Sequence, residues 1–244
     1  MALAAGGLLK WLPGLLGPFV LGYYVQQRQW RAAAGLLGAA AGLLLLVLLP
    51  FYWADAAKFW HPYQFQAGRA LMGESAPFLL QWAVLDPAHT LPGRPWGEPP
   101  TILLSNGVIT LVQGLLVGGL GVLAWMRART AATWAVLGLM AVAAFTLSNR
   151  IFSPQFVIAL GWTWAAALVL LRPGVRALLA ALFALLLIGL ANFLVFPLWP
   201  DAWPVASLVL FLLAGGLTGA LVWAALAPPR APAGYVQPLQ GVEP

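Results

Sequence analysis

The sequence predicts an all-α polytopic membrane protein of about seven transmembrane helices, with one long extracytoplasmic loop that carries an interfacial helix. Three observations lead there. The 244-residue chain is 62% hydrophobic and 7% charged, which leaves too little polar surface to clothe a soluble globule. Several apolar runs reach the roughly 20 residues a helix needs to cross about 30 Å of hydrocarbon, and none alternates as an outer-membrane barrel strand must. The basic residues stand singly between those runs, as loop anchors do, so the net charge of +6 is no argument for nucleic acid as a partner.

Read against proline and glycine breakers, the apolar runs give seven spans: residues 8–25, 32–53, 102–126, 131–147, 154–171, 175–196 and 205–227. The first contains Pro13 and the Gly17-Pro18 pair and is expected to be kinked or partly re-entrant. Arg28 and Arg31 fall between spans one and two, Arg127 and Arg129 between three and four, Arg172 and Arg176 between five and six, and Arg230 after the seventh. By the positive-inside rule these connections are cytoplasmic. Residues 54–101, the Asn149-Arg150 turn and the turn "WPDAWP" are then external.

That assignment sends Asp55, Glu74, Asp86, Glu98 and Asp201, with His61 and His89, to the outer side and leaves Glu243 as the sole inner acid. Exclusion of cations from that side accounts for this by default; chemistry at the outer face accounts for it equally. Without cysteine and with two histidines, neither disulfides nor a thiolate or histidine metal centre is expected, and no cofactor is called for. Residues 1–227 read as one membrane domain and the proline-rich residues 228–244 as a disordered cytoplasmic tail.

In the long loop, "KFWHPYQFQAGRALMGESAPFLLQWAVLD" mixes aromatic, aliphatic and isolated polar residues as a helix lying in the headgroup layer does. On such a helix Gln66, Arg69 and Gly73 share a face, while Glu74 is about 140° from Arg69, so the two need separate partners. For an interfacial arginine that partner is a phosphate, from a lipid headgroup or a bound substrate. Trp53, Trp60, Tyr63, Trp82 and Trp96 fit an interfacial aromatic belt. His89 and Glu98, in "DPAHTLPGRPWGEPP", are either acid-base groups or members of a solvated loop.

In "SNRIFSPQF" Pro154 is suited to open the fifth span and Ser153 to cap it. Arg150 beside that helix start makes either an anion site or an ordinary capped hairpin with a snorkelling arginine. Arg150-Ile151-Phe152-Ser153-Pro154-Gln155 resembles the "K-x-[FL]-S-P-Q" signature of bacterial polytopic glycosyltransferases of family 87 and their mannosyltransferase-like relatives, which have the GT-C fold. Arg69-Ala70-Leu71-Met72-Gly73-Glu74-Ser75 resembles the same family's outer-loop "H-x-x-R-G-L-Q-I-E-S", with Gln66 where histidine is frequent. Lys10-Trp11-Leu12-Pro13, then Pro18, Arg28, Trp30 and Arg31, is similar to its "K-x-x-P … R-x-W-R".

The resemblance implies transfer of a sugar such as mannose from a polyprenyl-phosphate donor to a glycolipid or glycan acceptor at the outer face of the bacterial cytoplasmic membrane. It implies that Arg69 and Arg150 bind the donor phosphate, that Glu74 and Gln155 orient them or contact the sugar, and that Lys10 and Lys58 are weaker contenders. Such enzymes carry a catalytic aspartate in an early outer loop. Here Asp55 is the first acid and opens the later loop. The chain is therefore expected to correspond to the carboxy-terminal half of such a transferase, to lack its catalytic residue, and to need an amino-terminal half for turnover. A different class, a transporter, flippase component or assembly scaffold, would call for polar groups at mid-membrane, where Gln113, Thr146 and Asn192 are the strongest.

Overall fold

The computed structural model describes residues 12–68, 75–85, 105–152, 154–194 and 203–227, and among them every regular element is helical. Proline sets the first. A 3-10 turn over Leu12–Leu16 gives way to α1 (Gly17–Gln26), with Pro18 in the first turn, where its missing N–H leaves no bond unmade. The change of helix type falls where Pro13 and Gly17-Pro18 are expected to interrupt the span.

α1 ends in a Schellman turn: the Arg28 N–H donates to the Val25 carbonyl (3.0 Å) and the Gln29 N–H to that of Tyr24 (2.8 Å). Arg28 therefore sits at φ 57°, and Arg172 repeats the left-handed conformation at φ 48°. Such backbone favours glycine over a residue with a Cβ by about 1 kcal/mol. Two arginines occupy it nonetheless.

There follow α2 (Trp30–Ala54), α3 (Ala56–Gly68), α4 (Ala76–Leu80) with a π turn over Gln81–Leu85, α5 (Asn106–Arg127), α6 (Ala131–Leu147), α7 (Pro154–Leu171), α8 (Val175–Phe193) and α9 (Trp203–Leu226). Side-chain caps start several of them. Ser75 Oγ accepts from the Phe78 N–H at 3.2 Å, Ser105 Oγ from Val108 at 3.3 Å and Thr130 Oγ1 from Thr133 at 3.1 Å. Helices thus occupy the described part of each stretch read as a span. Trp30–Ala54, Asn106–Arg127, Val175–Phe193 and Val205–Leu226 are long and apolar enough to cross a membrane, and Ala131–Leu147 and Gln155–Leu171 are shorter apolar helices. The chain is an all-α membrane protein.

One of these shorter helices, α6, lies at the centre and packs against α1, α5, α7 and α9. It is apolar around its whole circumference, the pattern of a helix surrounded by others. Trp134, Val136, Leu137, Met140, Ala141, Val142 and Ala143 are all buried. Two glycines let α1 approach it. A Cβ at Gly22 would lie 2.7 Å from the Trp134 ring, and one at Gly138 would lie 3.1 Å from Phe19. Gln26 fastens the contact by donating to the Trp125 carbonyl (2.9 Å) and accepting from Trp134 Nε1–H (2.9 Å). By contrast, only 6% of the most apolar window of α2 is buried, and α2 packs chiefly on α1 and α3.

Cross-helix contacts fix direction. Gln113, early in α5, donates to the Phe145 carbonyl late in α6 at 3.2 Å, so these helices are antiparallel. Phe152 meets Phe211 at a ring separation of 5.1 Å, and Trp164 Nε1–H donates to Thr218 Oγ1 at 3.1 Å, so α7 and α9 run parallel. The starts of α5, α7 and α9 consequently share one end of the bundle with the finish of α6. The opposite end holds the junctions that contain Arg28, Arg127, Arg129 and Arg172.

Candidate functional site

The turn from Ser148 to Phe152 is built by local hydrogen bonds and one buried ring. Ser148 Oγ donates to the Ala144 carbonyl at 2.7 Å, closing α6, and Asn149 Oδ1 accepts from the Ile151 N–H at 3.3 Å. Phe152, 4% exposed, packs edge-on against Phe211 and against Phe156 at 6.0 Å. That anchor holds Arg150 half-buried and starts α7 at Pro154, with Gln155 exposed in its first turn. Backbone N–H groups that lack intrahelical partners and a guanidinium thus lie within one turn of chain, an arrangement suited to an anion. Ser153, the expected cap, lies outside the described residues.

A second piece of chain reaches the same end. Ser75–Leu85 folds onto the bundle through Phe78, which is buried in a cluster with Ile109 of the first turn of α5 and Ala206 of the first turn of α9, flanked by Leu79, Trp82 and Leu194. Ser75 and Gln81 are fully buried there. The last residue of the Arg69-to-Ser75 stretch therefore sits at the end of the bundle that carries Arg150. Arg69 and Glu74 themselves lie outside the described residues, as do Lys10, Asp86, His89, Glu98, Asp201 and the tail.

The chain matches no family model, no curated protein and no solved structure with which it was compared.

Other polar residues singled out in the sequence have structural work. Asp55 caps α3: its Oδ1 accepts from the Lys58 N–H at 3.0 Å and its Oδ2 lies 3.1 Å from Lys58 Nζ. The Lys58 backbone N–H, then its ammonium, hold the Asp55 carboxyl below its ordinary value of 3.8. This engages both the first acid of the chain and Lys58. Thr146 Oγ1 donates to the Val142 carbonyl of its own helix at 2.8 Å and Gln113 is committed to Phe145, while Asn192 is half-buried near the end of α8.

Sequence reasoning missed Phe152, Ser75 and Gln81 as the groups that organise this end. Ser75-Ala76-Pro77 is a readable start signal, serine at the cap and proline within the next turn, and it parallels Ser153-Pro154. Phe152 carries no comparable signal, because one more aromatic in an apolar chain does not announce burial.

Proposed function

We propose that this chain is the donor-binding membrane module of a transferase that uses a sugar such as mannose on a polyprenyl-phosphate carrier. The observation that carries the reading is the return of Ser75–Leu85, the continuation of the Arg69 stretch, to the bundle end where Arg150 precedes α7. The order of the resembling stretches along the chain adds to it. In this reading the polypeptide crosses the bacterial cytoplasmic membrane seven times, with α3 in the outer headgroup layer and the arginine-bearing junctions inside. Arg69 and Arg150 grip the carrier phosphate, Glu74 and Gln155 orient them or meet the sugar, and the polyprenyl tail lies along the apolar helices. The acceptor is a glycolipid or glycan on the outer side. The proposal concerns donor capture and assigns no catalytic base.

Transport is the weaker alternative: Gln113 and Thr146 spend their polar groups on backbone carbonyls, and no substrate path is built from them. The purified chain, titrated with a polyprenyl-phosphate mannose and with the bare polyprenol, is expected to prefer the phosphorylated ligand. Arg150→Ala should cost it about 2 kcal/mol, roughly thirtyfold in Kd, if the contact is charge-assisted and shielded. Equal affinity for phosphate and alcohol, or binding unchanged in both Arg69→Ala and Arg150→Ala, refutes the proposal.

A further inference from the structure

The bundle end opposite Arg150 holds a cavity of about 330 Å³ between α1 and α6, lined among others by Phe19, Tyr23, Tyr24, Trp134, Ala135 and Leu139. Its walls are mostly apolar. Gly138 is part of its wall, Gly22 meets Trp134 of that wall, and Ala135, small and exposed, leaves its flank open. It reaches Ala131, the first residue of α6, immediately after Arg129 and the Thr130 cap. Gln26 ties the finish of α1 to Trp125 and Trp134, so Arg28 and Arg127, each two residues beyond a tied residue, belong to the same end. Arg28, Arg127 and Arg129 are all exposed. No acid occurs anywhere in residues 1–54 or 99–200, so nothing on these helices neutralises them.

Arg28 stands in left-handed backbone, where glycine is the favoured residue, and Arg172 does the same at the junction of α7 and α8. An apolar slot at the bundle end that carries exposed Arg28, Arg127 and Arg129 suits a ligand that is anionic at one end and greasy at the other.

We propose that this groove binds an anionic phospholipid, with an acyl chain between α1 and α6 and the phosphate against Arg28 and Arg129. The site is separate from the Arg150 end and does not depend on the transferase reading. Its test is native mass spectrometry of the full chain, released from detergent micelles that contain equal phosphatidylglycerol and phosphatidylcholine of the same acyl composition. Wild type should retain phosphatidylglycerol over phosphatidylcholine by about thirtyfold, at roughly 1 kcal/mol for each of the two arginines. The double variant Arg28→Gly/Arg129→Gln should bring the two within about twofold of each other. Because Arg28→Gly relieves backbone strain, its loss of selectivity is no sign of misfolding. Ala135→Trp, which fills the slot, should lower retention of both lipids. Equal retention by wild type, or undiminished selectivity in the double variant, overturns the proposal. So does a dimer mass that Ala135→Trp abolishes, since a second copy would then be the occupant.

Discussion

Thr218 illustrates how polar groups are settled inside the bundle. Its hydroxyl donates to the Ala214 carbonyl at 2.8 Å and accepts from the indole of Trp164, a residue with no exposed surface. Thr218→Val keeps the shape and strands that indole N–H, and is expected to destabilise the protein by about 1–3 kcal/mol. Thr218→Ser should restore most of the loss. Thermal unfolding in detergent, followed by tryptophan fluorescence, separates these outcomes from a purely steric effect, which serine would not rescue. At this scale the sequence was informative about residues that break a pattern. Pro154 opens α7 and Pro18 opens α1 as their chemistry requires. It was silent about Phe152, whose importance comes from meeting Phe211, a partner far along the chain.

The helices were legible as elements because each needs only a long apolar run between breakers. α6 matches the predicted residues 131–147 at both ends, and α7 matches 154–171. The long loop was harder. The stretch read as one interfacial helix contains α3 and α4, and the Arg69 and Glu74 whose angle was drawn on a common helix lie outside the described residues. The start of α3 rests on Asp55, whose carboxyl is held below its ordinary value chiefly by the Lys58 backbone N–H. A lowered folded value means that the cap contributes above the ordinary carboxylate range and is lost as pH falls through it. Exchange of the Lys58 amide hydrogen should therefore accelerate, relative to a neighbouring helix, between about pH 5 and about pH 2. Asp55→Asn, which caps without titrating, should remove that relative change. An identical pH response in both proteins would show that Asp55 does not hold the helix start.

For the whole molecule, apolar patterning gave the class but not the arrangement, since spans of similar hydropathy do not reveal which one is surrounded. That α6 lies innermost follows from its glycine-assisted contact with α1 and the burial of most of its residues, facts of packing and not of composition. The positive-inside rule already put residues 54–101 and the Asn149-Arg150 turn on one side; how Ser75 is held at that end was beyond reach of the sequence, because it depends on Phe78 finding Ile109 and Ala206. The proposed sidedness is open to direct measurement, as the chain has no native cysteine to confuse labelling. Single substitutions Asn149→Cys and Arg129→Cys in intact cells should react with a membrane-impermeant maleimide only at position 149. Labelling at 129 alone would reverse the orientation, and labelling at both would end the alternating topology. The 17 residues of α6 extend about 25 Å, less than the usual hydrocarbon thickness. Neighbouring helices enclose most of that helix, so it has little mismatch of its own to relieve. Adjustment to a thicker or thinner bilayer falls on the periphery, α2 above all, which has room to tilt; lengthening or shortening α2 is the route by which one interior could serve membranes of different thickness.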